Sequence, residues 1–237
     1  MLSGTLSGSG QVVPDRPRPA RALADRLGAF SASVIGDVLQ RLPVMDSAMV
    51  RVAGHGPLAG PALTVLTRAG DNLAIYHALE VAQPGDVLVV SGRADISRAL
   101  MGDLLGELMV AVGVVGAVID GAVRDVEGLA ELGLVVYARA VTPAGPFKFG
   151  PGTVDVPIAC GGVVVHPGDF VVGDQDGLAV VRPNELEPVL EAAGKKVVDE
   201  GQMRDRIAAG ARSYHELFNA PTGIELRRPN RPEEGNA

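Results

Sequence analysis

The sequence predicts a mixed α/β fold whose second half is rich in strands. Up to Leu134, short apolar runs of strand length alternate with helical patterns. After Gly150 the chain is nearly all strand and turn, until a long helical stretch begins at Asn184. Glycine and proline, 31 and 17 of the 237 residues, lie mainly between the apolar runs and indicate many tight turns. This order of elements differs from a uniform Rossmann or barrel pattern.

Seven apolar runs are predicted to be strands. They are short, rich in valine and bounded by Gly, Pro or Asp, features that favour strands over helices. In chain order they are Ala62–Thr67, Asp86–Val90, Ala117–Ile119, Leu134–Ala138, Val163–His166, Phe170–Val172 and Leu178–Val181.

Two helices are predicted between the first strands. Asp71 is placed to cap a helix that runs from Asn72 to about Ala82. A second helix over Leu104–Val112 is expected to end at Gly113, because glycine is the usual residue just past a helix end.

Two further helical patterns follow. The first is short, covers Asp125–Leu132 and stops at Gly133. The second runs from Asn184 to about Phe218, and we expect it to be broken or softened at Gly194, Gly201 and Gly210.

A single domain is expected over residues 21–226, because no linker-like stretch divides it. Residues 1–20 and 227–237 are expected to be disordered tails, since they are polar, contain proline and have little to bury. The longest apolar run, Leu108–Ile119, is shorter than the roughly 18 residues that indicate a membrane span. No apolar signal segment is visible, and the single Cys160 fits a reducing compartment, so a cytoplasmic location is expected.

The charge balance argues against nucleic acid and membranes as partners. The chain carries 28 acidic and 21 basic residues, a net charge of −7, whereas proteins that coat nucleic acid or anionic lipid present a basic face. It has five Phe, three Tyr and no Trp, which leaves few aromatic groups for stacking on single-stranded bases.

The most informative pair of residues is Arg124-Asp125. It follows a predicted buried strand that ends at Asp120-Gly121, where a rigid scaffold meets an exposed loop. Arginine binds a carboxylate through two hydrogen bonds, and aspartate is an oxygen ligand suited to Mg²⁺ or Mn²⁺. Together they meet the needs of a 2-keto acid. The alternative is an ordinary Arg–Asp pair in which Asp125 caps the next helix.

A second candidate segment, Gly102-Asp103-Leu104-Leu105, opens a predicted helix. The free backbone N–H groups of such a first turn can hold an anion. Alternatively, Asp103 is only an acidic residue that interacts favourably with the helix dipole.

Six segments of the chain form a recognisable series in a fixed order. They are Val34–Leu39, Gly60–Val65, Gly70–Leu73, Pro84–Val90, Ile119–Asp125, and Pro167–Asp169 leading to Asp174–Gly177. In this order they resemble the family of RraA-like proteins and 4-hydroxy-4-methyl-2-oxoglutarate aldolases. The resemblance covers roughly Ser33 to Arg182, most of the predicted folded region.

The resemblance implies a β/β/α sandwich like the swivelling phosphohistidine domains, here with a C-terminal helical extension. It also implies a homotrimer or homohexamer with active sites at subunit interfaces. The implied cofactor is a divalent cation, usually Mg²⁺, with Mn²⁺ or another divalent cation as the alternative.

Residue roles are carried over by the same motif. Asp125 would ligate the metal, and Arg124 would bind the substrate near its carboxylate and keto groups. The amides of Leu104 and Leu105, which follow Gly102, would hold the carboxylate. Asp103 would hold metal-bound water or help to move protons.

Some aldolases of this family add an acidic residue from the C-terminal helix of a neighbouring subunit. Glu200 is the residue here that corresponds best to it. Its alternative role is an ion pair with Arg204, one helical turn further on.

The implied function is that of a metal-dependent lyase. It would cleave 4-hydroxy-2-keto acids such as 4-hydroxy-4-methyl-2-oxoglutarate to pyruvate, and would decarboxylate oxaloacetate. Because the motif contains no lysine, a Schiff-base aldolase is disfavoured. The alternatives are an RraA-type protein regulator of ribonuclease activity and a related lyase acting on another keto or sugar acid. The long C-terminal helical stretch favours the enzyme.

Overall fold

The computed structural model describes residues 21–218, which form ten strands and seven α-helices. The strands are β1 (Val50–Ala53), β2 (Leu58–Thr67), β3 (Val87–Met101), β4 (Gly116–Val123), β5 (Val135–Val141), β6 (Gly152–Val154), β7 (Ile158–Cys160), β8 (Val163–Val165), β9 (Phe170–Gly173) and β10 (Leu178–Val181). The helices are α1 (Arg21–Gly28), α2 (Ala32–Val38), α3 (Leu73–Glu80), α4 (Asp103–Ala111), α5 (Val126–Glu131), α6 (Leu186–Ala208) and α7 (Tyr214–Phe218).

One large sheet organises the fold, with the strand order β1-β5-β4-β3-β2-β9-β10. Its centre is parallel, because β2, β3, β4 and β5 pair in the same direction. Antiparallel strands flank this centre: β1 pairs with β5, and β9 pairs with both β2 and β10. Strand β6 pairs with the end of β2, and β7 and β8 form a separate two-stranded sheet.

The central strands are buried on both faces. In β3, Leu88 and Val90 belong to one apolar cluster, whereas Val87 and Val89 belong to another. Because successive side chains of a strand point to opposite faces, this division shows that β3 has a core on either side. All eight residues of β4 are buried, as is usual for parallel strands covered on both faces.

Helices cover one face of the sheet, and strands cover much of the other. Helices α3, α4 and α5 contribute Ile75, Met109 and Leu129 to the first cluster. The two-stranded sheet contributes Ile158 and Val165 to the second. A third cluster joins β9 and β10 to α1, α2 and the start of α6. The predicted mixed α/β fold with a C-terminal helix is therefore confirmed.

The main strand-length difference is in β3, which was predicted to end at Val90 but continues to Met101. The extension is irregular: its pairing with β4 shifts register three times. Arg93 and Ala94 have φ values of 60° and 57°. The segment was not predicted because its polar residues interrupt the apolar run. Its left-handed residues also depart from regular strand geometry, and no sequence pattern marks them. Strands β1, β6 and β7 and helices α1 and α2 were also not predicted.

The last long helix corrects another expectation. Helix α6 is continuous through Gly194 and Gly201, so the predicted breaks at these two residues are wrong. A Cβ at either residue would meet nothing within 4 Å, and a helical glycine costs only about 1 kcal/mol relative to alanine. Gly210 has a φ of 110° and follows the end of α6, as expected of a helix-ending glycine.

The chain divides into two compact units, one ending at Ala193 and the other beginning at Gly194. Within the described part of the second unit, the rings of Tyr214 and Phe218 stack on α7 with centroids 4.7 Å apart. The single domain over residues 21–226 stays a prediction. The tails predicted at 1–20 and 227–237 lie outside the described residues. Within residues 21–218, no helix is both long and apolar enough to cross a membrane.

Cys160 lies on β7 and is fully buried, with its Sγ 3.9 Å from the carbonyl oxygen of Val90. Burial is the main cause that raises the pKa of this thiol above its ordinary value, and the nearby carboxylate of Asp120 adds to it. The thiol is therefore held in its protonated form.

Asp71 anchors a loop to the end of β2. Its buried carboxylate accepts hydrogen bonds from the N–H groups of Leu73, Phe149 and Gly150, at 3.0, 2.8 and 3.0 Å. Burial raises the pKa of Asp71, but these three bonds and the nearby Arg68 outweigh it and hold the pKa below its ordinary value. The N-cap residue of α3 is Asn72, so the predicted cap at Asp71 is one residue too early; Asp71 bonds the first N–H group of the helix from the loop before it.

We expect Gly201→Ala to stabilise the protein by about 1 kcal/mol, because alanine has the higher helix propensity and the space is open. Urea unfolding measures the change. Gly60→Ala is the contrasting variant: its Cβ would lie 2.4 Å from the carbonyl oxygen of Gly85, so it should destabilise the protein. Equal unfolding midpoints for the two variants would contradict the packing described for these glycines.

We expect Asp71→Asn to destabilise the protein at pH 7 by about 1–3 kcal/mol, because an amide cannot accept all three backbone bonds. The folded-state pKa is lowered, so the contribution of Asp71 is complete above the unfolded value of about 3.9 and is lost as the pH falls through the folded value. Urea unfolding at pH 7 and near pH 3 should therefore show a smaller difference in acid.

The matched control is Thr67→Val, which removes the uncharged hydrogen bond from Thr67 Oγ1 to the carbonyl oxygen of Asp71. Its cost should be the same at both pH values. A pH-independent cost for Asp71→Asn would show that its charge is not what holds the loop.

Candidate functional site

A cavity of about 280 Å³ lies where β3 and β4 end and α4 begins. Its volume is near the lower end of the roughly 300–1,000 Å³ typical of ligand pockets, which suits a small metabolite. The lining residues come from four separate segments: Asn72 and Tyr76; Met101 to Leu105; Arg124; and Gly145, Pro146 and Lys148.

Arg124 and Asp125 follow the last residue of β4. The N–H group of Arg124 donates to the carbonyl oxygen of Met101 at 2.9 Å, so the ends of β3 and β4 are tied together. The Nε atom of Arg124 lies 3.0 Å from Oδ2 of Asp125, and the two side chains are 39% and 36% exposed. Arg124 lines the cavity, and Asp125 is partly exposed beside it.

Asp125 has an unusual backbone. Its φ of 54° and ψ of 41° lie in the left-handed region, which non-glycine residues seldom occupy. The residue stands at the N-cap position of α5, but its side chain makes no capping hydrogen bond. The alternative role for these residues was an Arg–Asp ion pair in which Asp125 caps α5. The ion pair is present, but the capping hydrogen bond is not. Strain of this kind commonly accompanies a functional role.

Gly102 leaves room for this pair. A Cβ on Gly102 would lie 2.3 Å from Oδ2 of Asp125 and 3.0 Å from both Cγ and Nε of Arg124. The φ of −148° is available to any residue, so the requirement for glycine is one of space. The backbone at the start of α4 therefore approaches the Arg–Asp pair as closely as a glycine allows.

The first turn of α4 holds Asp103, Leu104 and Leu105. The N–H group of Leu104 donates to Oδ1 of Asp103 at 2.7 Å. The amide of Leu105 has no hydrogen-bond partner among residues 21–218. A substrate carboxylate can therefore be met directly by Leu105, whereas Leu104 is available only if Asp103 releases it. The predicted role of both amides stays a prediction.

The opposite wall contains three polar residues that received no firm role from the sequence. Asn72 is 3% exposed, and its Nδ2 atom donates to the carbonyl oxygen of Leu100 at 3.0 Å. Its Oδ1 atom is the one buried side-chain polar atom in the described part of the chain that lacks a partner. The Nζ atom of Lys148 lies 3.2 Å from the hydroxyl oxygen of Tyr76.

These residues are hard to find from sequence because they are far apart along the chain. Asn72 lies within the segment Gly70–Leu73, which carries part of the family resemblance, and this was the only available signal for it. Tyr76 follows one helical turn later, and Lys148 comes from a loop over seventy residues away.

Glu200 lies in the second compact unit, on α6. Its carboxylate pairs with Lys196 at 3.3 Å and with Arg204 at 3.1 Å, so the alternative role as an ion-pair partner is observed. Its predicted role as an acid supplied to a neighbouring subunit stays a prediction.

The residues present fit a magnesium ion better than a metal that needs a full protein cage. Residues 21–218 contain no group of three or more His, Cys, Asp or Glu side chains placed to hold a metal. Asp125 supplies a carboxylate oxygen at the close approach to Gly102, and Asp103, the next residue after that glycine, lines the cavity. Mg²⁺ commonly takes one or two carboxylates and keeps several waters, so this donor set suits it.

Comparison with known proteins agrees with these features. A family model described as RraA-like, Aldolase/RraA, matches residues 25–180. A protein of Halalkalibacterium halodurans, named as a candidate 4-hydroxy-4-methyl-2-oxoglutarate aldolase, is 39% identical over 172 residues, 73% of this chain and 81% of that protein. A Thermus thermophilus protein named 4-hydroxy-4-methyl-2-oxoglutarate aldolase is 41% identical over 111 residues, 47% of this chain and 68% of that protein.

Solved structures show the same fold. Streptomyces coelicolor RraAS2, described as an unusual member of the RNase ES inhibitor RraA protein family, superposes with a TM-score of 0.73 at 30% identity. The match covers 80% of this chain and 99% of that one. The family model covers the parallel centre of the sheet, the cavity and the Arg124-Asp125 pair. We conclude that this chain belongs to the RraA-like family.

Proposed function

We propose that this protein is a divalent-metal-dependent lyase that cleaves 4-hydroxy-2-keto acids of the 4-hydroxy-4-methyl-2-oxoglutarate type to pyruvate. The same site would decarboxylate oxaloacetate. The observation that carries the proposal is the partly exposed Arg124–Asp125 pair, which lies against Gly102 at the start of α4 beside a small cavity that Arg124 lines. The names of the aldolase relatives support it.

Each residue has a chemical task in this proposal. Arg124 binds the carboxylate and keto oxygens of the 2-keto acid through its planar guanidinium. The N–H group of Leu105 adds a donor at the positive end of the helix dipole. Asp125 would hold the divalent ion, which would supply a positive charge to polarise the keto oxygen and to stabilise the negative charge that develops there.

Asp103 is the acid–base candidate. Asp103 lines the cavity next to Gly102, and its carboxylate would take the hydroxyl proton, directly or through a water, as the carbon–carbon bond breaks. The same proton would then be returned to the carbon of the pyruvate enolate to give pyruvate. The bond of Asp103 to the Leu104 amide fixes the orientation of Oδ1 and leaves Oδ2 for this task.

A second candidate function is regulation of ribonuclease activity by protein contact. It is supported by the likeness to Streptomyces coelicolor RraAS2, whose description places it among RNase inhibitors. Such a regulator would not need an accessible Arg–Asp pair with a strained aspartate. The third possibility, a related lyase for another keto or sugar acid, uses the same Arg124 and Asp125 chemistry.

The proposal includes a homotrimer or homohexamer and a cytoplasmic location. Large apolar side chains near the cavity support association: Leu104 is 69% exposed and Phe149 is 81% exposed. Both belong to segments that contribute to the cavity or flank it, so a second copy of the chain would border the site.

The first test is pyruvate release from 4-hydroxy-4-methyl-2-oxoglutarate and from oxaloacetate, coupled to lactate dehydrogenase. We expect turnover with Mg²⁺ and none with EDTA. Asp125→Ala should lower the rate at least about 100-fold, because the ligand to the ion is lost. Asp176→Ala, which changes an exposed aspartate outside this cavity, is the matched control and should keep the wild-type rate.

One kind of outcome would contradict the proposed mechanism, and another would contradict the lyase function itself. Metal-independent turnover, or an Asp125→Ala variant as active as the wild type, would refute the proposed mechanism. A well-folded oligomer that turns over neither substrate would exclude the pyruvate lyase and favour the regulator or another substrate.

We expect Gly102→Ala to reduce pyruvate release by about 100-fold, because a displacement of roughly 1 Å in catalytic groups has an effect of that size. The methyl group would push Arg124 and Asp125 out of position, while the extended backbone accepts alanine. Thermal unfolding should change little. In contrast, Gly106→Ala places its Cβ 2.6 Å from Leu129 Cδ2 in the core and should lower the unfolding temperature.

A further inference from the structure

We infer that Lys148, held against Tyr76, is the residue that binds the second carboxylate of the proposed substrates. The inference rests on the proposed function for one point, the placement of the 2-keto acid end at Arg124. It assigns the far wall of the cavity to the other end of the substrate.

The backbone around Lys148 is held on both sides. The N–H group of Asn72 donates to the carbonyl oxygen of Phe147 at 3.0 Å. The N–H group of Phe147 donates in turn to the carbonyl oxygen of Gly70 at 2.8 Å. On the other side, the N–H group of Phe149 donates to the buried Asp71 carboxylate. The lysine therefore projects from a fixed loop.

The side chain of Phe147 is fixed as well. The guanidinium of Arg98 lies over its ring, 4.1 Å from the centroid. The same Arg98 donates from Nη1 to the carbonyl oxygen of Gly145 at 2.8 Å. These contacts hold the cavity-lining residues Gly145, Pro146 and Lys148 as one unit.

The ammonium group of Lys148 is positioned but not neutralised. Its Nζ atom lies 3.2 Å from the Tyr76 hydroxyl oxygen and 5.0 Å from the centre of the Tyr76 ring. Within residues 21–218 it has no carboxylate partner within 4.0 Å. An ammonium has three N–H donors, and the hydroxyl uses one. Two donors and a full positive charge remain for a ligand.

The two positively charged side chains that line the cavity, Arg124 and Lys148, differ in whether a carboxylate lies next to them. Arg124 already has a carboxylate neighbour, since Asp125 lies 3.0 Å from its Nε atom. Lys148 has only a phenol and an aromatic face. A ligand that carries one carboxylate for Arg124 and a second for Lys148 complements both walls, whereas a monocarboxylate leaves the ammonium uncompensated.

Calorimetric binding of two unreactive 2-keto acids in the presence of Mg²⁺ tests this inference. 2-Oxoglutarate and 2-oxopentanoate have the same carbon chain and differ in the distal carboxylate. We expect the wild type to prefer 2-oxoglutarate. Lys148→Gln should raise its dissociation constant about tenfold, as expected for a lost charge-assisted hydrogen bond, and should leave 2-oxopentanoate within about twofold.

Two further variants provide controls. Lys148→Arg keeps the positive charge and should retain most of the preference for 2-oxoglutarate. Lys195→Gln removes an exposed lysine from α6, outside the cavity lining, and should leave both dissociation constants unchanged.

Several results would overturn the inference. No effect of Lys148→Gln would mean that Lys148 is a solvated surface charge, and an equal effect on both ligands would mean a structural role. Wild-type protein that prefers neither ligand, or binds neither, would also refute it. A preference that depends on Lys148, found in a protein that releases no pyruvate, would refute the lyase and leave the subsite standing.

Discussion

The parallel pairing of β3 and β4 is the constraint on which the site depends. The two strands begin together, at Val87 and Gly116, and end together, at Met101 and Val123. Yet β3 has 15 residues and β4 has eight. The seven extra residues of β3 are accommodated by the register shifts in its second half, so the two strands leave the sheet side by side. For that reason the first turn of α4 faces Arg124 and Asp125.

Three features that are unfavourable or restrictive for folding lie at or beside this same cavity. Asp125 adopts a left-handed backbone, and Asn72 carries a buried oxygen without a partner. Gly102 occupies a position where any side chain would collide with the Arg–Asp pair. Each feature is unfavourable or restrictive for folding alone, and their convergence is typical of a site shaped by ligand chemistry. The buried carboxylate of Asp71 offsets part of this cost by fixing the loop that forms the far wall.

Much of the sheet could be predicted because its strands are short apolar runs with clear ends. Glycines with positive φ values, Gly113 and Gly133, end α4 and α5 as expected, because only their backbones turn easily there. The second half of β3 could not be predicted, since its polar residues follow neither strand nor helix periodicity. At Gly194 and Gly201 the strength of the surrounding helical pattern outweighs the low helix propensity of glycine.

The candidate site was only partly predictable, for a related reason. Arg124, Asp125 and the start of α4 lie in compact motifs that a sequence displays directly. The opposite wall is assembled from Asn72, Tyr76 and Lys148, which meet only because the loop is clamped to the end of β2. Local sequence patterns do not show contacts between residues that are so far apart along the chain. The left-handed backbone of Asp125 is likewise set by the strand and helix on either side of it.

The burial of Cys160 has a practical consequence for labelling chemistry. It is the one cysteine in the 237-residue chain, and in the folded protein its protonated thiol is closed off from solvent. Maleimides and other thiol-directed reagents therefore find no native group to attack while the protein stays folded. A cysteine introduced on the surface will take up a fluorophore or spin label alone, without removal of Cys160. In a chain with three tyrosines and no tryptophan, such a fluorophore also supplies a stronger fluorescence signal than the protein's own.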